Sequence, residues 1–360
     1  MARARWIGPR SYEAYKKSAR EARERGDLKQ EFETWKNLSQ QGEPESQFEL
    51  AKMYQKGQWV LPNENEAVKL LISSAESGYV PAMVLLGDMY LAGTDVPESI
   101  DDAMHWYYKA ADGLSTEAMM SLAIIFQLGQ SVEKDEEKTV YWYEQAAEHG
   151  CGEAHYHLAT MRQAAGQYGL ALEAYEQAAE SGDMLAQYAL GKRYLEGDGT
   201  EPDLEKALGL FDSAAMAGSQ LANFQLGMLH FEGEVVAQNK RLAVRHFQAA
   251  ANKSYDDAQY ILGCLYLEGD GLEKNPLKAA HWLMKAANQS HAMALNNLGI
   301  LYAKGEGVKQ SFDIAEKSFQ KAIALGCEDA ENNLKRIRQK QWWKDHVGTK
   351  VKSLFTRWRG

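Results

Sequence analysis

Proline is scarce, with only seven residues in a chain of 360, and hardly one of them falls inside a segment of helical periodicity. Helices can therefore run without internal breaks. Cysteine is scarcer still. Cys151, Cys264 and Cys327 are too few and too scattered for a disulfide framework or for a zinc site with paired ligands, which fits a reducing cytoplasm. No stretch approaches the roughly 18 to 20 uninterrupted apolar residues of a membrane-spanning helix. The opening, MARARWIGPR, carries positive charge but no apolar run, so it does not read as a secretory signal and the chain is expected to stay where it is made.

Motifs of chemistry are missing as well. No CxxC occurs, and the glycine-bearing stretches GDGTEPD from Gly197 and GEGVKQS from Gly305 match neither a phosphate-binding loop nor a calcium loop. His155 and His157 lie two residues apart, which on a helix sends them to different sides and makes them poor joint metal ligands. No catalytic, cofactor-binding or metal-binding residue is assigned, and no small-molecule substrate is expected. An enzyme with an unrecognised site is kept as the reading of another class.

What the chain does have is 45% hydrophobic and 25% charged residues, the profile of an ordered soluble protein. Its charge is unevenly spread. Residues 1–25 carry a net +5 and residues 335–360 a net +8, so with a total of −10 the residues between them carry −23. Phosphate backbones would meet repulsion along that body, so nucleic acid is not an expected partner.

The dominant signal is internal repetition. Gly57, Gly93, Gly129, Gly197, Gly233, Gly269 and Gly305 follow one another at 36 residues, except for one step of 68 that holds a full unit and a shortened one of 32. Seven residues before each glycine stands a leucine, from Leu50 to Leu298, then a small residue such as Gly87 or Gly227, and three before the glycine a ring such as Tyr54 or Tyr266. This is the apolar face of one helix, with a small residue where a neighbour comes close. After each loop a second apolar stripe follows, as in Ala243 and Phe247, often closed by an alanine pair such as Ala286 and Ala287. Gly78, Gly150, Gly182, Gly218 and Gly326 stand where second helices should end in a left-handed cap. Two compact units framed by Gly26 and Gly42 and by Gly166 and Gly182 bring the count to nine helix pairs.

Segments such as AQYILGCLYLEGDGLEKNPLKAAHWLMKAA, from Ala258 to Ala287, resemble the Sel-one-like repeat (SLR) family, the longer-looped relatives of the tetratricopeptide repeat. The resemblance implies an all-α fold, a right-handed superhelix or solenoid of about nine helix-turn-helix units. It also implies a non-enzymatic scaffold or adaptor that binds a protein or peptide on its concave face, in bacteria within signalling or envelope-associated assemblies. The expected organisation is a basic extension at 1–10, the solenoid at 11–326, a capping helix at 327–340 and a basic amphipathic tail at 341–360.

On that architecture the position nine residues before each loop glycine points to the groove or its edge. Phe48, Tyr188, Phe224 and Tyr260 are aromatics among its seven occupants, with Tyr156 equivalent to them in the short unit, and the five read either as a peptide-binding ladder or as packing between adjacent units. Lys192, Met228, Phe231 and Leu267 join them as candidate contacts, with the apolar second half of the groove as the expected docking region. Lys192 and Asn296 lie too many units apart to clamp a terminal carboxylate. In the tail, Trp343, Val347, Val351, Leu354, Phe355 and Trp358 fall on one helical face, flanked by Lys344, Lys350, Lys352, Arg357 and Arg359. Three readings stand for it: a cap on the last repeats, a contact with an anionic membrane surface that would place the protein at the periphery of the inner membrane, or a partner-docking helix.

Overall fold

The computed structural model describes residues 9–129 and 131–343, which form 19 α-helices and, among the described residues, no strand. Two compact units divide at Ser181 and Gly182. The first contains α1 (Pro9–Glu24), α2 (Leu28–Ser39), α3 (Pro44–Lys56), α4 (Glu64–Glu76), α5 (Val80–Ala92), α6 (Ile100–Asp112), α7 (Thr116–Leu128), α8 (Glu136–Glu148), α9 (Gly152–Ala164) and α10 (Tyr168–Glu180). The second contains α11 (Met184–Glu196), α12 (Leu204–Met216), α13 (Gln220–Glu232), α14 (Lys240–Asn252), α15 (Asp256–Glu268), α16 (Pro276–Asn288), α17 (Ala292–Lys304), α18 (Phe312–Ala324) and α19 (Asp329–Trp343). Within each unit every helix packs on its neighbours in the chain, so each unit is a solenoid of stacked antiparallel pairs.

The sequence phase explains the pairing. In α13, Gly227 lies against the ring of Phe247 in α14, and a Cβ built on that glycine would stand 2.6 Å from the ring. Gly87 with Tyr107, Gly191 with Phe211 and Gly299 with Phe319 repeat the arrangement. The missing side chain lets the first helix approach, and the large residue of the second helix fills the space; Tyr107, Phe211, Phe247 and Phe319 are all at most 1% exposed.

The long loops are fixed at both ends. Each begins at a left-handed glycine, as at Gly233 with φ 72°, and closes on a capping residue. Asn63, Ser99, Asp135, Asp203, Asn239, Asn275 and Ser311 each accept a hydrogen bond from a backbone N–H of the second helix's first turn. Their own N–H groups donate back to the carbonyls of Tyr54, Tyr90, Phe126, Tyr194, His230, Tyr266 and Tyr302, at 2.8–3.1 Å. The ring position of the first helix thus also anchors the loop. The α1–α2 and α9–α10 pairs have only three-residue connections, Arg25–Asp27 and Ala165–Gln167.

Three cations of α1 are paired inside the fold. Lys16 of α1, 8% exposed, meets Glu13 at 2.5 Å, Glu45 at 3.0 Å and Glu43 at 3.3 Å. Arg20 pairs with Glu45, and Arg23 bridges Glu31 of α2 and Glu49 of α3 at 2.6 and 2.5 Å. Burial alone would lower the Lys16 pKa and raise that of Glu45. The hydrogen bonds and opposite charges outweigh it, so Lys16 ends above and Glu45 below its usual value.

Candidate functional site

First helices place the aromatic ladder. Phe48 on α3 lies 5.3 Å from the ring of Tyr79, just ahead of α5, and Tyr156 on α9 lies 5.9 Å from Tyr175 of α10. Between them Val84 and Met120 occupy the same position as buried aliphatic residues, so in the first unit the rings are not neighbours. The second unit brings three together in succession: Tyr188 on α11, Phe224 on α13 and Tyr260 on α15. Tyr188 packs 5.9 Å from Phe211, Phe224 5.7 Å from Phe247 and 5.1 Å from Tyr255, and Tyr260 stacks 4.7 Å from His291. All five ladder rings are half-buried, with one side on a neighbouring helix or the next turn. They pack on a neighbouring helix of the same pair or on the next pair, and each keeps part of its surface exposed.

One turn along, Lys192 pairs with Glu196 at 3.4 Å, and Met228 is half-buried on the Phe247 cluster. Phe231, 6.3 Å from Phe247 and beneath the Lys240 ammonium at 5.4 Å, and Leu267, on the Leu283 cluster, lie deeper towards second helices. Around the rings the face remains apolar. Met184 and Leu185 at the start of α11 are 42% and 43% exposed, and Met293 at the start of α17 is 52% exposed. Among the tail candidates, Trp343 is the last residue of α19. Lys344, Lys350, Lys352, Leu354, Phe355, Arg357, Trp358 and Arg359 lie outside the described residues.

Next to Tyr260 the structure assembles a polar group the sequence did not reveal. His291 caps α17 by accepting the Ala294 N–H at Nδ1 (3.1 Å), which leaves Nε2–H to donate to Asp257 at 3.2 Å. Both ring nitrogens are engaged. The Cys264 thiol instead meets the Asn297 amide at 3.5 Å and the Tyr260 hydroxyl. Burial pushes this thiol up, away from the thiolate form, and burial together with Cys264 pushes Tyr260 up to about 12. Asp257, His291 and Cys264 therefore do not form a relay: the imidazole has no free nitrogen to take the thiol proton. Among the described residues no group of three potential metal ligands converges, and His157 stacks 4.9 Å from Tyr143 instead of joining His155. No helix among the described residues is long and apolar enough to cross a membrane.

At the end of the second unit α19 covers the last pair. Leu334 and Ile337 pack with Leu295 and Phe319, and Arg338 pairs with Glu316 at 2.6 Å. A cavity of about 700 Å³ opens between α17, α18 and α19, lined by Ile300, Phe312, Phe319 and Ile337, with Lys304 and Arg336 on its wall.

Comparison with known proteins agrees with this geometry. The Sel1 repeat model matches residues 44–79, 80–113, 116–151, 185–219, 220–255, 256–291 and 292–327, about two thirds of the chain, passing over the two compact-turn pairs. A Sel1 repeat protein from Oxalobacter formigenes is 28% identical, with 85% of this chain and 90% of that one covered and a TM-score of 0.67. A protective antigen of uropathogenic Escherichia coli with an SLR fold is 27% identical over 86% of this chain and 75% of its own, with a TM-score of 0.47. An immunity protein from Pseudomonas aeruginosa is 25% identical over 50% and 70%, with a TM-score of 0.37. No curated protein matches significantly. With seven matched repeats, each resolved as the helix pair that its glycine phase requires, the chain belongs to the Sel1 repeat proteins.

Proposed function

We propose that this protein is a scaffold that binds a protein or peptide along the first-helix face of its second unit, without chemistry of its own. Sel1 and tetratricopeptide-like folds are typically protein-interaction scaffolds, and the observation that supports the finer reading is the run of Tyr188, Phe224 and Tyr260 on consecutive first helices. Half-buried rings held by their neighbours offer contact area with little side-chain entropy left to lose. Exposed Met184, Leu185 and Met293 extend the apolar surface around them. A cytoplasmic setting and a place in a signalling or envelope-associated assembly belong to the same proposal.

The rings themselves are poor probes, since truncating them also removes packing on Phe211, Phe247 and His291. The test is panning of a random peptide display library on the full chain and on a Leu185→Ser, Met228→Ser variant whose helicity is checked by circular dichroism. Enrichment of apolar and aromatic peptides on the parent, reduced at least tenfold on the variant, is the expected result. Equal enrichment on both would place binding elsewhere.

A further inference from the structure

We infer that the cavity between α17, α18 and α19 is a binding site for a medium-chain fatty carboxylate, with the alkyl chain on Phe319 and the head group at Lys304 and Arg336. The site lies on other helices than the ladder of Tyr188, Phe224 and Tyr260 and calls for a bound ligand without any reaction.

The cavity arises where one repeat departs from the others. Two residues before the loop glycine, the first helices carry Gln55, Leu91, Gln127, Leu195, Phe231 and Leu267, and then Ala303. In the preceding pairs that larger side chain covers the second helix: Phe231 stands 6.3 Å from Phe247, and Leu267 packs on the Leu283 cluster. Phe319 holds the place of Phe247 and Leu283 in the last pair, and Ala303 is too short to cover it. Nor does α19 collapse into the space. It is held off by Leu334, which packs with Leu295, and by the ion pair of Arg338 with Glu316 of α18 at 2.6 Å. The result is about 700 Å³ of space over Phe319, Ile300 and Ile337. Small-ligand sites span roughly 300–1,000 Å³, so a single chain is accommodated and a two-chain lipid is not.

Charge changes at the same place. The last residues of α11, α13 and α15 are Glu196, Glu232 and Glu268, whereas α17 ends on Lys304. Arg336 of α19 adds a second cation to the wall, and the described lining residues include no carboxylate. Both cations are exposed. Lys304 reaches Glu306 only at 4.0 Å, and Arg336 forms no ion pair among the described residues. An apolar floor under a cationic rim selects an amphiphile with an anionic head. An inorganic anion would leave the floor wet, and a neutral amphiphile would leave the rim charges unused. The guanidinium fork of Arg336 suits the two oxygens of a carboxylate. Such a ligand touches α17, α18 and α19 at once and so ties the terminal helix to the last pair.

Isothermal titration of the full chain with octanoate and decanoate, each below its micelle-forming concentration, tests the site. The expected result is saturable binding of one equivalent, about tenfold tighter for decanoate because two more methylenes leave water. Ala303→Leu puts back the residue found in α5, α11 and α15 and should weaken decanoate at least tenfold with helicity unchanged. Lys304→Glu combined with Arg336→Gln should weaken decanoate as much while leaving decanol unaffected. Bound decanoate should also slow amide exchange in α17 to α19 and not in α1 to α10. Absence of saturable binding, equal decanoate affinity in both variants and the parent, or inorganic phosphate binding as tightly as decanoate overturns the inference. Should Ala303→Leu lose helicity, the charge variant, altered only at the exposed rim, decides alone.

Discussion

Leu114 stands in the left-handed backbone region with φ 61°. The equivalent residue in four other long-loop units is glycine, at Gly78, Gly150, Gly218 and Gly326, as it is at Gly182 after a compact pair. Ser254 and Ser290 share Leu114's strain. An L side chain there presses Cβ against its own backbone, and Leu114 is 62% exposed, so it recovers little by burial. Leu114→Gly should therefore stabilise the protein by about 0.5–1 kcal/mol, read as a higher urea midpoint with an unchanged slope. A lower midpoint would mean that this side chain contributes packing. The glycines at these positions were legible in the sequence as helix stops, whereas the exceptions were not, because nothing local in leucine or serine announces a positive φ.

At the scale of elements, the α13–α14 pair holds a buried titratable contact. His246 Nδ1 lies 3.2 Å from Asn223 Oδ1, and the His246 ring stacks 6.1 Å from that of His230, whose Nδ1 is buried without a partner. Burial, then the neighbouring His230, lowers the His246 pKa below its ordinary 6.5, with Asp212 opposing. The unfolded chain thus binds a proton more readily than the folded one. The stabilising contribution is complete above about pH 6.5 and is lost as the pH falls towards the folded value. Acidification from pH 7.5 to 5.5 should lower the thermal midpoint, and His246→Gln should flatten that dependence. Identical slopes in the parent and the variant would show that other groups govern it. The pairing of these helices followed from the Gly227 and Phe247 phase, but the meeting of His230 with His246 depends on which way each helix is rotated, and spacing within one helix does not supply that.

For the molecule as a whole, stacking makes each pair answer to its neighbours. Phe247 is fully buried and contacts Phe224 and Phe231 of the preceding helix, so Phe247→Ala should cost about 3–5 kcal/mol locally. Amide hydrogen exchange should rise across α13 to α16 and stay unchanged in α1 to α6; acceleration throughout would mean that the chain opens as one cooperative body. The sequence by itself determined the number of helix pairs and their closest contacts, because a residue phase that recurs in seven units leaves one face of each helix no other place to pack. The loop caps from Asn63 to Ser311 were equally present in the sequence, six residues after each loop glycine, but their double role became visible only with the carbonyls they meet. Tertiary structure alone decided that Lys16, Arg20 and Arg23 pair with Glu43, Glu45, Glu31 and Glu49, and that Asp257, His291 and Cys264 gather without forming a relay. Those outcomes depend on distances between residues that lie 8 to 34 positions apart in the chain, and periodicity specifies which face a residue occupies but not which atom it meets.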